Sequence, residues 1–133
     1  MDFADYQRFV DSLPIPALLV KVDKDDTHLV HHLNPLFTQE FGYTQEDIPD
    51  KQRWWEKAYP DPDYREAVER QWELEYQLAA DSEQDKVSVD ARITDIKGDE
   101  RRYRVATNIS TPIIDGIYPV FFINLEPRIG NYL

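Results

Sequence analysis

The strongest constraint in this 133-residue chain is a change of hydrophobic period across the polar segment Asp81 to Asp85. Before it, Tyr64, Val68, Trp72 and Tyr76 recur every four residues, and Ala67, Leu74, Leu78 and Ala79 widen the stripe. That is the spacing of an amphipathic helix, whose apolar face must lie against something apolar. After it, Val87, Val89, Ala91 and Ile93 alternate with Ser88, Asp90, Arg92 and Thr94, as in a half-buried strand. Beyond the turn Lys97-Gly98-Asp99, Tyr103, Val105, Thr107 and Ile109 alternate with Arg102, Arg104, Ala106 and Asn108. Pro112 and Asp115-Gly116 mark a second turn before the run Tyr118 to Leu125. A long helix followed by three strands with short connections predicts an antiparallel meander.

The first half of the chain is built from shorter pieces. Phe3, Tyr6, Phe9, Val10 and Leu13 fall at spacings of three and four, predicting an amphipathic helix ended by Pro14 and Pro16. Ala17 to Val22 and His28 to Leu33 read as a hairpin around the polar turn Asp23 to Asp26. From Asn34 to Ile48 two helix starts and a glycine break are packed into fifteen residues. Asn34 is suited to cap the next turn, Pro35 to fill the first helical position, and Gly42 to end the helix left-handed. Leu36, Phe37 and Phe41 share its face. Thr44 with Asp47 resembles a capping box and predicts a second stub helix. A third short helix is expected over Lys51 to Tyr59, and the long helix starts at Asp61 with Pro62 in its first turn. Runs of like elements, rather than strict alternation, place the chain in the α+β class with helices on one face of an antiparallel sheet.

Composition narrows the function classes. The chain has no cysteine, which removes disulfides, thiolate metal sites and cysteine nucleophiles and fits a reducing cytoplasm. A formal charge of −11 argues against nucleic acid, whose phosphates require clustered Lys and Arg. No apolar run approaches the length of a membrane span, and the acidic N-terminus lacks the basic start of a secretory signal. The basic cluster Arg101, Arg102 and Arg104 reads as a solvated strand face, with Arg102 and Arg104 on one side and Arg101 on the other.

Three motifs in this order resemble the PAS domain, the sensory-box module of bacterial signal-transduction proteins. The first is Asn34 to Ile48, with an asparagine closing the second strand, a phenylalanine and the string Gly42-Tyr43-Thr44-Gln45-Glu46-Asp47-Ile48. The second is Trp55 followed by Tyr59-Pro60-Asp61-Pro62-Asp63-Tyr64, where Tyr59 stands in place of the usual histidine. The third is Lys97 to Arg101 leading to Pro112-Ile113 and Asp115-Gly116. The resemblance covers about Leu13 to Glu126. It implies a PAS-like five-stranded sheet with short helices and one long helix on one face, plus the N-terminal helix. The division is an amphipathic helix at 1–13, a PAS domain at 14–126 and a C-terminal tail at 127–133.

The resemblance also implies a cleft between helices and sheet. Phe37, Phe41, Tyr43, Trp55, Trp72, Thr107 and Phe122 are the candidate pocket residues, with Trp54, Tyr76 and the stretch Phe121 to Ile123 nearby and Asn108 and Asn124 as further polar candidates. The alternative is that the aromatics simply fill a small core. Flavin photoreceptors of the family carry a reactive cysteine and haem-binding members a histidine on the long helix; this chain has neither. Flavin and haem are therefore disfavoured and no cofactor is expected, with an unidentified small molecule left as an option beside a plainly filled core.

The three histidines are His28, His31 and His32. Simple alternation puts His28 and His32 on one strand face, roughly 13 Å apart, too far to share an ion alone. Asp23, Asp25 and Asp26 lack the glycine and glutamate of a calcium loop and read as a turn. No metal site and no catalytic residue is expected.

The N-terminal helix either caps its own sheet or pairs with a second subunit, the stripe Phe3, Tyr6, Phe9 and Val10 favouring a homodimer. The expected function is a non-enzymatic sensory or interaction domain whose output, of histidine kinase or diguanylate cyclase type, lies elsewhere in a parent chain. Pro127 discourages an immediate helical exit. The alternatives are a ligand-free dimerisation module and a cone-shaped α+β small-molecule enzyme or carrier.

Overall fold

The computed structural model describes residues 2–108 and 116–126. Ile109, Pro112, Ile113 and Asp115, expected at a strand end and its turn, lie outside the described residues, as do Pro127 and the expected tail. The elements run α1 (Phe3–Asp11), β1 (Ala17–Val22), β2 (His28–Leu33), α2 (Pro35–Phe41), α3 (Lys51–Ala58), α4 (Pro62–Asp81), β3 (Lys86–Thr94), β4 (Glu100–Asn108) and β5 (Ile117–Asn124).

The strands form one five-stranded sheet in the order β2-β1-β5-β4-β3, every neighbouring pair antiparallel. The hairpin and the meander are joined by β1 against β5, from Ala17 opposite Phe121 to Lys21 opposite Ile117. The inner face carries Leu18, Val20, Val89, Ala91, Tyr103, Val105 and Phe122 into a core with α2, α3 and α4. The outer face carries Ala17, Leu19 and Ile117 against Val10 of α1, with Phe3, Leu13 and Phe121 around them. So α1 caps its own sheet, on the face opposite the other helices.

Asn34 ties these layers together. Its side chain caps α2 by accepting from Phe37 N at 2.9 Å and also accepts from Ala17 N at 3.0 Å. Its amide donates to Val10 O at 3.0 Å and Ile15 O at 2.9 Å, so one fully buried residue pins α1, β1 and α2. Gly42 closes α2 at φ 82, a left-handed conformation that suits glycine. A Cβ there would also collide with Ile96 Cγ2, in the β3–β4 turn whose Ile96 N donates to Phe41 O at 2.9 Å.

The second stub helix does not form. Thr44 and Asp47 close a single turn, in which Asp47 Oδ2 accepts from Thr44 N at 2.9 Å and from its hydroxyl at 3.1 Å. Pro49 explains the arrest, because it disfavours a helical conformation at Ile48. The segment is instead laid along the open edge of β2, where Pro49 O accepts from Val30 N at 2.9 Å and Asp50 bridges to Leu29. Asp50 then caps α3 by accepting from Arg53 N at 2.8 Å.

Two further expectations are corrected. A bulge interrupts β2: His32 lies opposite Leu19 but Val30 opposite Val20, leaving His31 as the extra residue. His31 and His32 therefore both face α1, with His31 against the Phe3 ring at 4.4 Å and His32 Nε2 2.7 Å from Asp11 Oδ1. His28 lies on the inner side, its Nδ1 2.7 Å from the Tyr118 hydroxyl. The second correction concerns α4, which buries only Val68 and Ala79 and half-buries Tyr64 and Trp72. Leu74, Tyr76 and Leu78 are half exposed or more. The helix lies against β3 at the sheet edge, where the Tyr64 hydroxyl accepts from Arg92 N at 2.8 Å, so only part of its stripe meets the sheet.

The polar surface readings agree with the structure. Arg104 makes a two-point pair with Asp90 at 2.8 and 3.1 Å on the outer face, while Arg101 reaches Glu40 O at 2.9 Å on the other side. Asp23 Oδ1 accepts from Asp25 N and Thr27 N, each at 2.9 Å, which makes a turn.

A candidate ligand chamber between the sheet and α3–α4

The inner core is divided into a filled half and a hollow half. In the filled half, the Phe41 ring stands 4.8 Å from Phe37, 4.9 Å from Tyr103 and 5.5 Å from Phe122. Trp54 closes on the same group, 5.3 Å from Phe37. Such edge and tilted contacts fix aromatic rings in place. Phe37 and Phe41 therefore form the back wall, behind the cavity rather than around it.

The hollow half is a chamber of about 50 Å³. Leu18, Val20 and Val30 line it from the hairpin, Val89, Ala91 and Val105 from the meander, and Trp55, Tyr59, Val68 and Trp72 from the helices. Small and branched residues on the strands leave a space that the flat faces of the helix aromatics roof without filling.

Lys51 and Trp72 line the chamber and also both open clefts beside it, so they form its neck. One cleft, of about 330 Å³, lies between α3, α4 and the start of β2 and is lined by His28, Glu69 and Glu73. The other, of about 670 Å³, extends past Tyr76 to Thr107, Gly116 and Tyr118. An apolar interior thus opens through a polar rim carrying Lys51, His28, Glu69, Glu73, Asp50 and Asp26.

The rim histidine is paired with a tyrosine. Burial and the nearby Lys51 charge hold His28 below the ordinary imidazole value, against the opposing pull of Asp26 and Asp23. Burial likewise pushes the Tyr118 phenol upward, so the pair is neutral near neutral pH. No group of three or more metal-ligating side chains occurs among the described residues.

Of the seven sequence candidates, Trp55, Trp72 and Phe122 line the chamber. Phe37 and Phe41 back it, as described above. Tyr43 does not reach it: its hydroxyl donates to Thr94 O at 2.8 Å, and burial raises its pKa to about 12. Thr107 lines the outer cleft, its hydroxyl donating to Pro119 O at 2.6 Å. Asn124 caps its own turn by accepting from Glu126 N at 2.7 Å, Phe121 packs toward α1, and Ile123 is exposed. Sequence reasoning missed Tyr59, Lys51, Tyr118 and the strand valines. The alternation in β3 and β4 did mark Val89, Ala91 and Val105 as inward, and their small size was the available signal.

For the N-terminal stripe, Val10 is 2% exposed and committed to the sheet, and Phe3 packs beside it. Tyr6 is half-buried, while Phe9 is 62% exposed.

No protein-family model matches this chain, and no curated protein does. Among solved structures it is similar to a LOV protein of Rhodobacter sphaeroides, at 14% identity and a TM-score of 0.63, over 95% of this chain and 68% of that one. It is similar to the PAS domain, solved in complex with ethanol, of a LuxR-family transcriptional regulator from Burkholderia thailandensis. That match has 14% identity and a TM-score of 0.62, over 96% of this chain and 100% of that one. A domain of a sensory box sensor histidine kinase/response regulator from Geobacter sulfurreducens matches at 12% identity and a TM-score of 0.57, over 91% and 92% of the two chains. At these identities the likeness is one of fold, and the fold is that of PAS and LOV domains, as the sequence motifs implied. The LOV matches stand against the expectation that a flavin is disfavoured, which rests on the missing cysteine.

Proposed function

We propose, from the PAS fold as premise, that this chain is a sensory domain that holds a small neutral molecule in the chamber between the sheet and α3–α4. The chamber itself carries this reading: an apolar hollow, roofed by Trp55 and Trp72, that opens to a polar rim. Occupancy shifts the packing of α3 and α4 on the sheet only as far as the ligand prefers one packing over another. The chamber's volume of about 50 Å³, well below the several hundred Å³ of ordinary organic ligand pockets, supports a ligand smaller than a flavin or haem. The chain also lacks cysteine altogether. The ethanol held by the Burkholderia thailandensis domain is a ligand of the matching scale.

The wider assignment follows the same premise. The domain, at 14–126 with α1 before it and the tail at 127–133 after it, is a cytoplasmic, non-catalytic sensor in a two-component or cyclase-type signalling chain. Phe9 is the part of the α1 stripe left outward, and a homodimer forms through it. Among the described residues, no helix is long and apolar enough to cross a membrane.

Amide correlation spectra under xenon pressure test the chamber. Shifts confined to Val20, Val89, Ala91 and Val105 are the expected result. A spectrum in which these residues do not respond contradicts the reading.

A further inference from the structure

Resting on that reading, we propose that the Tyr59 hydroxyl is the polar anchor of the chamber, which selects a small, neutral, oxygen-bearing molecule such as a short ketone or alcohol. Tyr59 lines the chamber, is 2% exposed, and makes no side-chain hydrogen bond to any described residue. Among the described residues the fully enclosed side-chain atoms left without a hydrogen-bond partner are Glu56 Oε1 and the Tyr103 hydroxyl, so the Tyr59 hydroxyl, which is not one of them, keeps surface that a small molecule can reach. Three other tyrosines have hydroxyl partners, while the Tyr103 hydroxyl is enclosed without one on the filled side of the core. Tyr118 bonds His28, Tyr43 bonds Thr94 O, and Tyr64 accepts from Arg92 N.

Two further observations set the ligand's character. Burial pushes the Tyr59 phenol upward, so it is held as the protonated donor across the physiological range. The walls from the strands are aliphatic, and the one charged residue of the lining, Lys51, is exposed at the neck. A charged ligand would therefore lose its hydration without a buried counter-charge. At about 50 Å³ the space holds roughly four non-hydrogen atoms, taking about one water-sized sphere per 10–15 Å³.

The test compares the intact chain with its Tyr59→Phe variant, using xenon and acetone as probes and the amide shifts of Val89 and Ala91 as readout. Xenon needs only the space, so it perturbs both proteins alike. Acetone needs the hydroxyl, so its affinity falls about tenfold in the variant. The ligand-free variant is about as stable as the parent, because the lost hydroxyl bonds no described residue. Equal acetone affinity in the two proteins overturns the anchor while leaving the chamber intact. So does a less stable variant, which would reveal a structural partner for the hydroxyl. Failure of xenon to reach the parent protein overturns the chamber reading itself, and the anchor with it.

Discussion

Asn34 is the residue on which most of the fold's local geometry converges. Its side chain makes four hydrogen bonds to backbone groups of α1, β1, α2 and the loop before β1, all at 2.9–3.0 Å. Replacing it with alanine leaves buried donors and acceptors without partners, each costing about 1–3 kcal/mol, on top of the lost helix cap. Asn34→Ala is therefore expected to destabilise the protein by about 3 kcal/mol or more, read as a lower urea midpoint. The cap itself was legible, since Asn-Pro followed by Phe37, Phe41 and Gly42 states a helix start and stop. The bonds to Val10 and Ile15 were not, because nothing in the spacing says that α1 lies within reach. The histidines teach the same lesson. Alternation fails at His31 because a bulge adds one residue, and a bulge leaves no mark in the hydrophobic pattern.

Among the elements, β2 joins the two helix layers and carries the protein's response to acid. His28 faces the chamber rim, with Lys51, Asp23, Asp26 and Tyr118 around it, and His31 packs on Phe3 of α1 beside Lys21 and His32. Burial is the main cause that holds both His28 and His31 below the ordinary value of 6.5. The unfolded chain therefore binds more protons than the folded one as pH falls through that value, and stability falls with it. The stabilisation is complete above the ordinary histidine value and is lost as pH drops toward the folded ones. Asp5, Asp47 and Asp90 are held below 3.8 by hydrogen bonds, and their contribution disappears only under stronger acid. A melting curve should thus fall first between about pH 7 and pH 5, and His28→Gln should flatten that first step. An unchanged slope in the variant would assign the step to other groups. Element boundaries were otherwise well marked, with both strands of the hairpin and the start of α4 found where caps and turns placed them. The missing stub at Thr44 and the half-bare stripe of α4 were not legible. Each depends on where the element docks: onto the β2 edge in one case and onto the β3 edge in the other.

For the molecule as a whole, the sheet order determines the chamber. Pairing β1 with β5 sets Leu18 opposite Val120 and Val20 opposite Tyr118, with Val105 one strand further on opposite Phe122, and the floor of the hollow comes from this joining of the two halves. The sequence motifs implied this architecture, and periodicity identified the inward residues of β3 and β4. The resemblance implied a cleft, but neither set its place or size, because a void is a difference between the volume that helices enclose and the volume that side chains fill. The most direct test of the account is the urea unfolding midpoint of Ala91→Val. Ala91 is 2% exposed, lies on a strand where a branched side chain is favoured, and lines the chamber. If the hollow is real, the added methyl groups fill it and stability rises by about 1 kcal/mol. A loss of about 1–3 kcal/mol, as expected from overpacking a closed core, would contradict the account.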